Sequence, residues 1–463
     1  MEQTGLTPPS PMARAQSFAR HAIYPVFERP TRRLRQFRRW RKSPLARLLR
    51  PLAFLSLLGP GLIAANAGND AGAVTTWASV GAQYGYQMLW VLVIITVSLS
   101  VVQEMCARMG AMTGKGLSDL IRERFGVRGA AFAMLTLLVA NVLVTISEFA
   151  GIAAASELFG IPKYVTVPVA AAGIWLLITR GSYQRVEKIF LVMSLAFLTY
   201  PIAAVLAHPN WGDVARHTFI PTVYGSSTFL LLLVGTIGTT ITPYMQLYIS
   251  SSVAEKGVAI EDYRAERLET YGGSVFAAII VASIVIATAA TLYVSSHGAH
   301  QINDAKDMAI ALEPFLGKYA PALFGVGLLG ASLLAAAVLP LSTAYAVTES
   351  FGFERGVSFS FREAPIFQGL FTGMLALGAL VALIPGLPLI RLIVISQVIN
   401  GVLLPILLVF ILKIVNDRRI MGKYVNGTVN NLIAVSTTVV LSGLSLLMLL
   451  AILLPIFGIP FLS

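Results

Sequence analysis

A single cysteine, Cys106, stands among the 463 residues, so no disulfide can close within the chain. Lying in an apolar stretch, it reads as buried filler rather than a reactive thiol. Charge is scarce as well. Asp, Glu, Lys and Arg together make 12% of the chain, against about 25% in an ordinary soluble domain. The five histidines (His21, His208, His217, His297 and His300) all fall outside the long apolar runs. The spans therefore lack the side chain whose unperturbed titration lies nearest neutrality. There is no Gly-rich phosphate loop, and no carboxylate pair is set beside a nucleophile. Both absences argue against an enzyme.

Hydrophobic residues are what the chain has, 56% of it. Apolar runs of about 20 residues suffice to cross a bilayer. Eleven recur here, over 51–77, 86–112, 129–158, 164–180, 187–207, 225–254, 271–295, 319–350, 366–384, 390–415 and 430–457. The expected class is an all-α integral membrane protein. Residues 1–50 hold twelve Lys or Arg against Glu2 and Glu28. Counting this arm, one set of loops carries 29 basic residues and the other five. Positive charge is retained on the cytoplasmic side, so the N-terminus is expected inside and the C-terminus outside, in a bacterial inner (plasma) membrane. The basic balance is thus a matter of topology, and no nucleic-acid partner is expected. Residues 1–50 lack the apolar core of a secretory signal. Their Arg-rich, acid-poor composition fits an organelle transit peptide less well than a cytoplasmic arm whose Arg32–Arg50 stretch lies on anionic lipid.

Glu157 and Glu187 fall at run ends, where water is close; four further carboxylates fall inside these runs. Asp70 is the most informative, in G-P-G-L-I-A-A-N-A-G-N-D-A-G-A-V-T-T (59–76). A carboxylate at mid-bilayer costs at least a few kcal/mol and marks a site that pairs with something. The Gly and Asn around it are poor helix formers, so the helix is expected to be unwound there, as in the discontinuous helices with which secondary transporters hold cations. Glu104 has Arg108 at i+4, an intrahelical pair. Glu349 lies late in its run and reads as interfacial. Glu148, in T-I-S-E-F-A-G, either faces a transport path or makes a structural hydrogen bond. A second interruption is expected at G-T-I-G-T-T-I-T-P-Y-M-Q (235–246), where Pro243 cannot join a helix ladder. Alone it would be an ordinary proline kink. With five spans per half, however, both interruptions open a half, and paired breaks point to a midplane site. His297-Gly-Ala-His300 with Asp304 and Asp307 reads as a solvated loop. Asn426-Gly427-Thr428 is a glycosylation triplet on the wrong side of the membrane.

Several strings together resemble the NRAMP divalent-metal transporters over 50–457: L-G-P-G-L-I-A-A (58–65), G-A-Q-Y-G-Y-Q-M-L-W (81–90), T-G-K-G-L (113–117), S-E-F-A-G (147–151), L-P-L-S-T-A-Y-A (339–346), S-Q-V-I-N (396–400) and D-R-R-I-M-G-K-Y-V-N (417–426). The resemblance implies a LeuT-type fold. It would comprise a first five-helix repeat (51–207), an inverted second repeat (225–415) and an eleventh helix (430–457). The departures fall in the site. Where manganese and iron carriers of the family have D-P-G-N and M-P-H, this chain has Asp70-Ala71-Gly72-Ala73 and Thr242-Pro243-Tyr244. Losing the thioether removes the ligand that favours transition metals. The implied set is oxygen: the Asp70 carboxylate, the Thr242 hydroxyl, backbone carbonyls near Ala67 and Thr239, and the Gln246 and Gln397 amides. Such a set suits magnesium, which keeps several waters, and Ala73 in place of Asn leaves room for them.

This pattern resembles the NRAMP-related magnesium transporters. The expectation is transport of Mg2+, and also Mn2+, as substrate with no resident cofactor. Met245 would pack rather than ligate. Glu148, Ala73, Tyr244 and Asn400 are candidates for the path or a proton relay. Thr145 stands where proton-coupled relatives have an Asp, so uncoupled uptake is expected. The alternatives are a proton-coupled Mn2+/Fe2+ symporter and, with Trp77 and Tyr244 as an aromatic lid, a carrier of an organic amine or amino acid.

Overall fold

The computed structural model describes residues 69–179, 198–257, 263–357 and 359–454. Among these there is helix, turn and irregular chain but no strand. The helices are α1 (Ala71–Tyr84), α2 (Leu89–Thr113), α3 (Leu117–Leu158), α4 (Lys163–Thr179), α5 (Thr199–Leu206), α6 (Trp211–Phe219), α7 (Ser227–Thr240), α8 (Pro243–Lys256), α9 (Tyr263–Thr288), α10 (Ala320–Phe351), α11 (Pro365–Ala382), α12 (Leu389–Val415) and α13 (Thr428–Leu453). A π-helical turn, Ala289–Tyr293, continues α9. Among the described residues eight helical segments are long and apolar enough to cross a membrane, with α7 and α8 forming one of them, and α4 is a shorter apolar helix. Of the eleven expected spans, 51–68 of the first and 187–197 of the fifth lie outside the described residues.

The third span begins twelve residues earlier than the apolar run predicts. Residues 117–125 carry Asp119, Arg122, Glu123 and Arg124 and look like loop, yet Leu117, Leu120 and Ile121 are buried and hold them as helix. At 42 residues α3 would be about 63 Å long, twice the ~30 Å hydrocarbon core. Gly126 breaks it with φ 68 and ψ −174, a backbone only glycine adopts readily. The segment ahead of Gly126 therefore lies outside the membrane, at the face we call basic because it carries Lys115, Arg355, Arg418, Arg419 and Lys423.

Packing sorts the helices into two groups. α3 packs on α10, α11, α12 and α4, while α2 packs on α8 and α9. The first group is pinned by Lys163, whose Nζ donates to the Ala382 and Ile384 carbonyls at 3.1 and 2.9 Å. Trp175 Nε1 adds a bond to Thr372 Oγ1 at 3.0 Å. α1 packs against α9, α7 and α12, and Trp77 Nε1 on α1 donates to Thr240 Oγ1 on α7 at 3.3 Å. At the face opposite the basic one, Tyr84, Tyr224 and Phe229 form a ring cluster with centroids 5.4–5.7 Å apart. That cluster closes the α1–α7 contact from this side.

At the basic face Glu104 and Arg108 form the expected i+4 pair at 3.3 Å. Arg108 also donates to the Tyr424 and Val425 carbonyls at 3.0 and 3.2 Å and to Asn426. Glu104 accepts from the Tyr263 hydroxyl and from Asn430 Nδ2. The pair thus ties α2, α9 and the start of α13 together. His297 and His300 lie in a loop; Asp304 caps a short helix, and Asp307 accepts from the Asn303 amide, as expected of a solvated loop.

Candidate cation site

Of the two expected helix breaks, the second is described on both sides; of the first, the residues before Asn69 lie outside the described residues, and what is described is the helix start behind Asp70. Asp70 is extended (φ −72, ψ 179) and α1 starts at Ala71. Asp70 Oδ1 accepts from the Ala73 amide at 2.8 Å, so the carboxylate caps the helix it precedes. In the second break α7 ends at Thr240, Ile241 and Thr242 are non-helical, and α8 restarts with Pro243. Pro243 occupies the first helical position, where its missing N–H has no partner to lose. This is a broken helix and not a kinked one.

Around these breaks the structure gathers most of the candidate residues. Asp70 is 2% exposed, and Glu148, Gln246, Gln397 and Asn400 are fully buried. Glu148 Oε2 accepts from the Ala71 amide at 3.3 Å, so it lies on the same helix start as Asp70. Its other oxygen accepts from the Ser147 hydroxyl at 3.4 Å. The structural hydrogen bond is thus made to the start of α1, beside Asp70. Gln397 lies against Gly72, where a Cβ would stand 1.9 Å from its Nε2. That nitrogen reaches Ser147 Oγ at 3.4 Å.

Asn400 Nδ2 donates to the Gly238 carbonyl at 2.8 Å, one residue before Thr239. α7 and α12 touch backbone to backbone here: a Cβ on Gly238 would meet the Gln397 carbonyl at 2.2 Å. Gln246 Nε2 donates to the Thr242 carbonyl at 3.4 Å, bridging the second break. Tyr244 lies within electrostatic reach of both Asp70 and Glu148.

Much of the chemistry left over is oxygen, although Asn69 Nδ2, next to Asp70, is also left without a partner. Among the described residues, Thr239 Oγ1, Gln246 Oε1, Gln397 Oε1 and Asn400 Oδ1 are buried with no hydrogen-bond partner. A buried polar atom without a partner is costly and asks for an explanation. Four orphaned oxygens beside two carboxylates fit a cation held by oxygen. The ion pairs among the described residues all involve other acids, so neither Asp70 nor Glu148 has a cationic side chain to offset it.

The remaining candidates divide. Thr242 is buried and stands in the break, where its side chain makes no cap bond. Ala73 is one turn inside α1, and Ala67 lies outside the described residues. Tyr244 and Met245 pack with Val144, Ala335 and Leu339, which agrees with Met245 as filler. Trp77 is fully buried on Thr240, so neither proposed lid residue stands over an open chamber. Thr145 Oγ1 is taken by the Asn141 carbonyl of its own helix at 2.7 Å. Sequence reasoning missed Ser147, which joins Glu148 to Gln397, and the Thr239 hydroxyl, where only a carbonyl was expected. The S-E-F-A-G string contains Ser147, but nothing in its spacing links it to a residue 250 positions away.

A helix broken at Ile241–Thr242, a second helix that starts behind the buried Asp70, and orphaned oxygens inside a bundle of long apolar helices define an ion-handling membrane protein of the transporter kind. The chain belongs to the Natural resistance-associated macrophage protein-like (Nramp) family, whose pattern matches residues 61–451. It is 30% identical over 397 residues to the divalent metal cation transporter MntH 1 of Pseudomonas aeruginosa, covering 81% of this chain and 87% of that one. It is 28% identical over 396 residues to MntH of Ralstonia nicotianae, covering 82% and 87%. A crystal structure of the Eremococcus coleocola manganese transporter superposes with a TM-score of 0.68 at 20% identity, covering 87% of this chain and 88% of that one. This last likeness establishes the shared fold.

Proposed function

We propose that this chain transports divalent cations, Mg2+ and also Mn2+, by alternating access and without stoichiometric proton movement. The observation that carries this reading is the donor set: two buried carboxylates that have no cationic side-chain partner among the described residues, and four buried oxygens without a hydrogen bond. Ionised together, Asp70 and Glu148 hold two negative charges, and one divalent cation offsets both. A monovalent ion would leave one uncompensated in a low-dielectric interior, where that is expensive. Oxygen donors select hard cations, and magnesium keeps part of its water shell. The small Ala73 side chain near the first break gives that shell room. A divalent cargo is also supported by the relatives named divalent metal cation transporters and by the fold neighbour named a manganese transporter.

The absence of coupling rests on Thr145, whose hydroxyl is bound within its own helix, and on the four described histidines, all outside the long apolar helices. The membrane potential alone supplies about 2.3 kcal/mol per charge per 100 mV. In this reading the basic face is cytoplasmic, the two breaks open inverted repeats (51–207 and 225–415), the 1–50 arm rests on anionic lipid, and the molecule performs no enzymatic chemistry.

One observation favours a second reading, a proton-coupled Mn2+/Fe2+ symporter. Glu148, on α3, is a second buried carboxylate, bonded to the first amide of α1 and placed to carry a proton past the ion. Uptake of Mg2+ and Mn2+ into proteoliposomes with a trapped pH dye separates the two. At a fixed inside-negative potential and equal pH, both metals should enter with no internal acidification. Acidification that scales with metal flux would establish symport and reject the uncoupled reading.

A further inference from the structure

We propose that α10 supplies a further wall of the cation socket, with the Ser332 hydroxyl as a specificity-determining group that holds the water shell of the divalent ion, a role that rests on the transport reading above. Ser332 is fully buried, and its Oγ has no hydrogen-bond partner. Other serines in the long helices return their hydroxyl to a carbonyl one turn back, as Ser79, Ser100, Ser283 and Ser396 do at 2.7–2.8 Å. Ser332 makes no such bond. A buried hydroxyl left in this way is costly and asks for a partner.

The hydroxyl faces the start of α1. A Cβ built on Gly151 of α3 would stand 2.5 Å from Ser332 Oγ, 3.5 Å from Ser332 Cβ and 2.6 Å from Ala71 Cβ. The oxygen therefore points away from its own helix, into the corner where α3, α10 and α1 meet. Ala71 is the residue whose amide donates to Glu148 Oε2, and Asp70 precedes it. Gly151 lies three residues beyond Glu148, on the same face of α3.

Three contacts give the register of the α3–α10 pair. Asn141 Nδ2 donates to Thr343 Oγ1 at 2.7 Å, Val144 packs with Leu339 and Ala335, and Gly151 meets Ser332. The helices thus run antiparallel, and Glu148, between Val144 and Gly151, stands at the level of Ala335 and Ala336. Their methyl side chains fill little of the space there. Pro340 has no N–H to give the Ala336 carbonyl, so the fully buried Ala336 loses the donor a regular helix would supply. Ser332 and Ala336 are four residues apart and share a face of α10. Water bound to a cation turns its protons outward, so groups that hold the shell must accept, and a hydroxyl and a carbonyl both can. Magnesium, which keeps several waters, is the ion this wall suits.

The test uses the full-length protein in proteoliposomes on a Cys106→Ala background, so that Ser332→Cys carries its only thiol. A thiol is close to a hydroxyl in size and binds soft cations far better. Cd2+ should inhibit Mg2+ uptake by Ser332→Cys at about a tenfold lower concentration than in Cys106→Ala alone. Ser332→Ala is the second variant should the first fold poorly. It should raise the Mg2+ concentration for half-maximal uptake severalfold at unchanged helical circular dichroism, which a merely structural hydroxyl would not do. Equal Cd2+ inhibition with and without the thiol, or an unmoved Mg2+ half-saturation in Ser332→Ala, would overturn the wall and leave the hydroxyl to an ordered water. The Mg2+-dependent rise in Tm of the Cys106→Ala protein separates this proposal from the reading beneath it. Without that rise the socket itself fails and takes the wall with it; with the rise present, unchanged Cd2+ inhibition removes Ser332 alone.

Discussion

Two sets of buried acids lie within the same bundle and are treated oppositely. Glu104, 3% exposed, is saturated by protein: Arg108 at 3.3 Å, the Tyr263 hydroxyl and the Asn430 amide. Asp70 and Glu148 are buried as deeply, yet their partners are amides at the start of α1 and a serine at 3.4 Å, with no cation. Burial of an acid therefore does not mark function in this molecule. What marks it is an incomplete set of partners, repeated by the orphaned oxygens of Thr239, Gln246, Gln397 and Asn400. In the Glu104 cluster the acid is fully partnered, with only Arg108 Nε left without an acceptor, so it is a clasp; the Asp70 cluster, whose acids have no cationic side chain among the described residues, is a socket.

The comparison can be broken most sharply at Asp70. Asp70→Ala should reduce divalent uptake to the background of empty liposomes while the purified protein keeps its helical circular dichroism and its elution position. Uptake near the unmodified level would remove the socket altogether. At the clasp, Arg108→Ala should do the reverse. Removing one partner of a buried pair leaves an uncompensated charge, which costs about 3–5 kcal/mol of stability. Chemical denaturation should register that loss, while the Mg2+-to-Mn2+ uptake ratio of the surviving protein stays unchanged. A changed ratio would mean the clasp also shapes the site.

A smaller effect sharpens the chemistry of the socket. Ala73→Asn with Thr242→Met adds an amide and a soft sulfur. Mn2+ competition against Mg2+ uptake should strengthen about tenfold, or about 1.4 kcal/mol. No shift would show that these positions do not line the site.

The socket was legible in outline because its signals are local. Asp70 stands among Gly and Asn, and Pro243 follows a run of Gly and Thr; α1 starts right behind the first, and the second interrupts its helix at Ile241–Thr242. The partners were less legible because they depend on contacts between distant helices. Gly72 makes room for Gln397, Gly238 for the α12 backbone, and Ser147 joins Glu148 to Gln397, none of which has a spacing to read. The start of α3 was hidden for another reason. Asp119, Arg122, Glu123 and Arg124 give it the composition of a loop, and only the burial of Leu117, Leu120 and Ile121 makes it a helix that protrudes from the membrane.

Metal-dependent thermal unfolding, measured on three forms of the purified protein in detergent, tests the contrast between socket and clasp most directly. A ligand that binds the folded state raises its stability in proportion to RT ln(1 + [L]/Kd), about 2.7 kcal/mol at a hundredfold excess over Kd. The unmodified protein should show a Tm that climbs with Mg2+ concentration. Arg108→Ala should start from a lower Tm and climb by the same increment, and Asp70→Asn should not climb at all. A Mg2+-dependent rise that survives in Asp70→Asn, or disappears in Arg108→Ala alone, would contradict the assignment of the incomplete acids as the place where the ion is held.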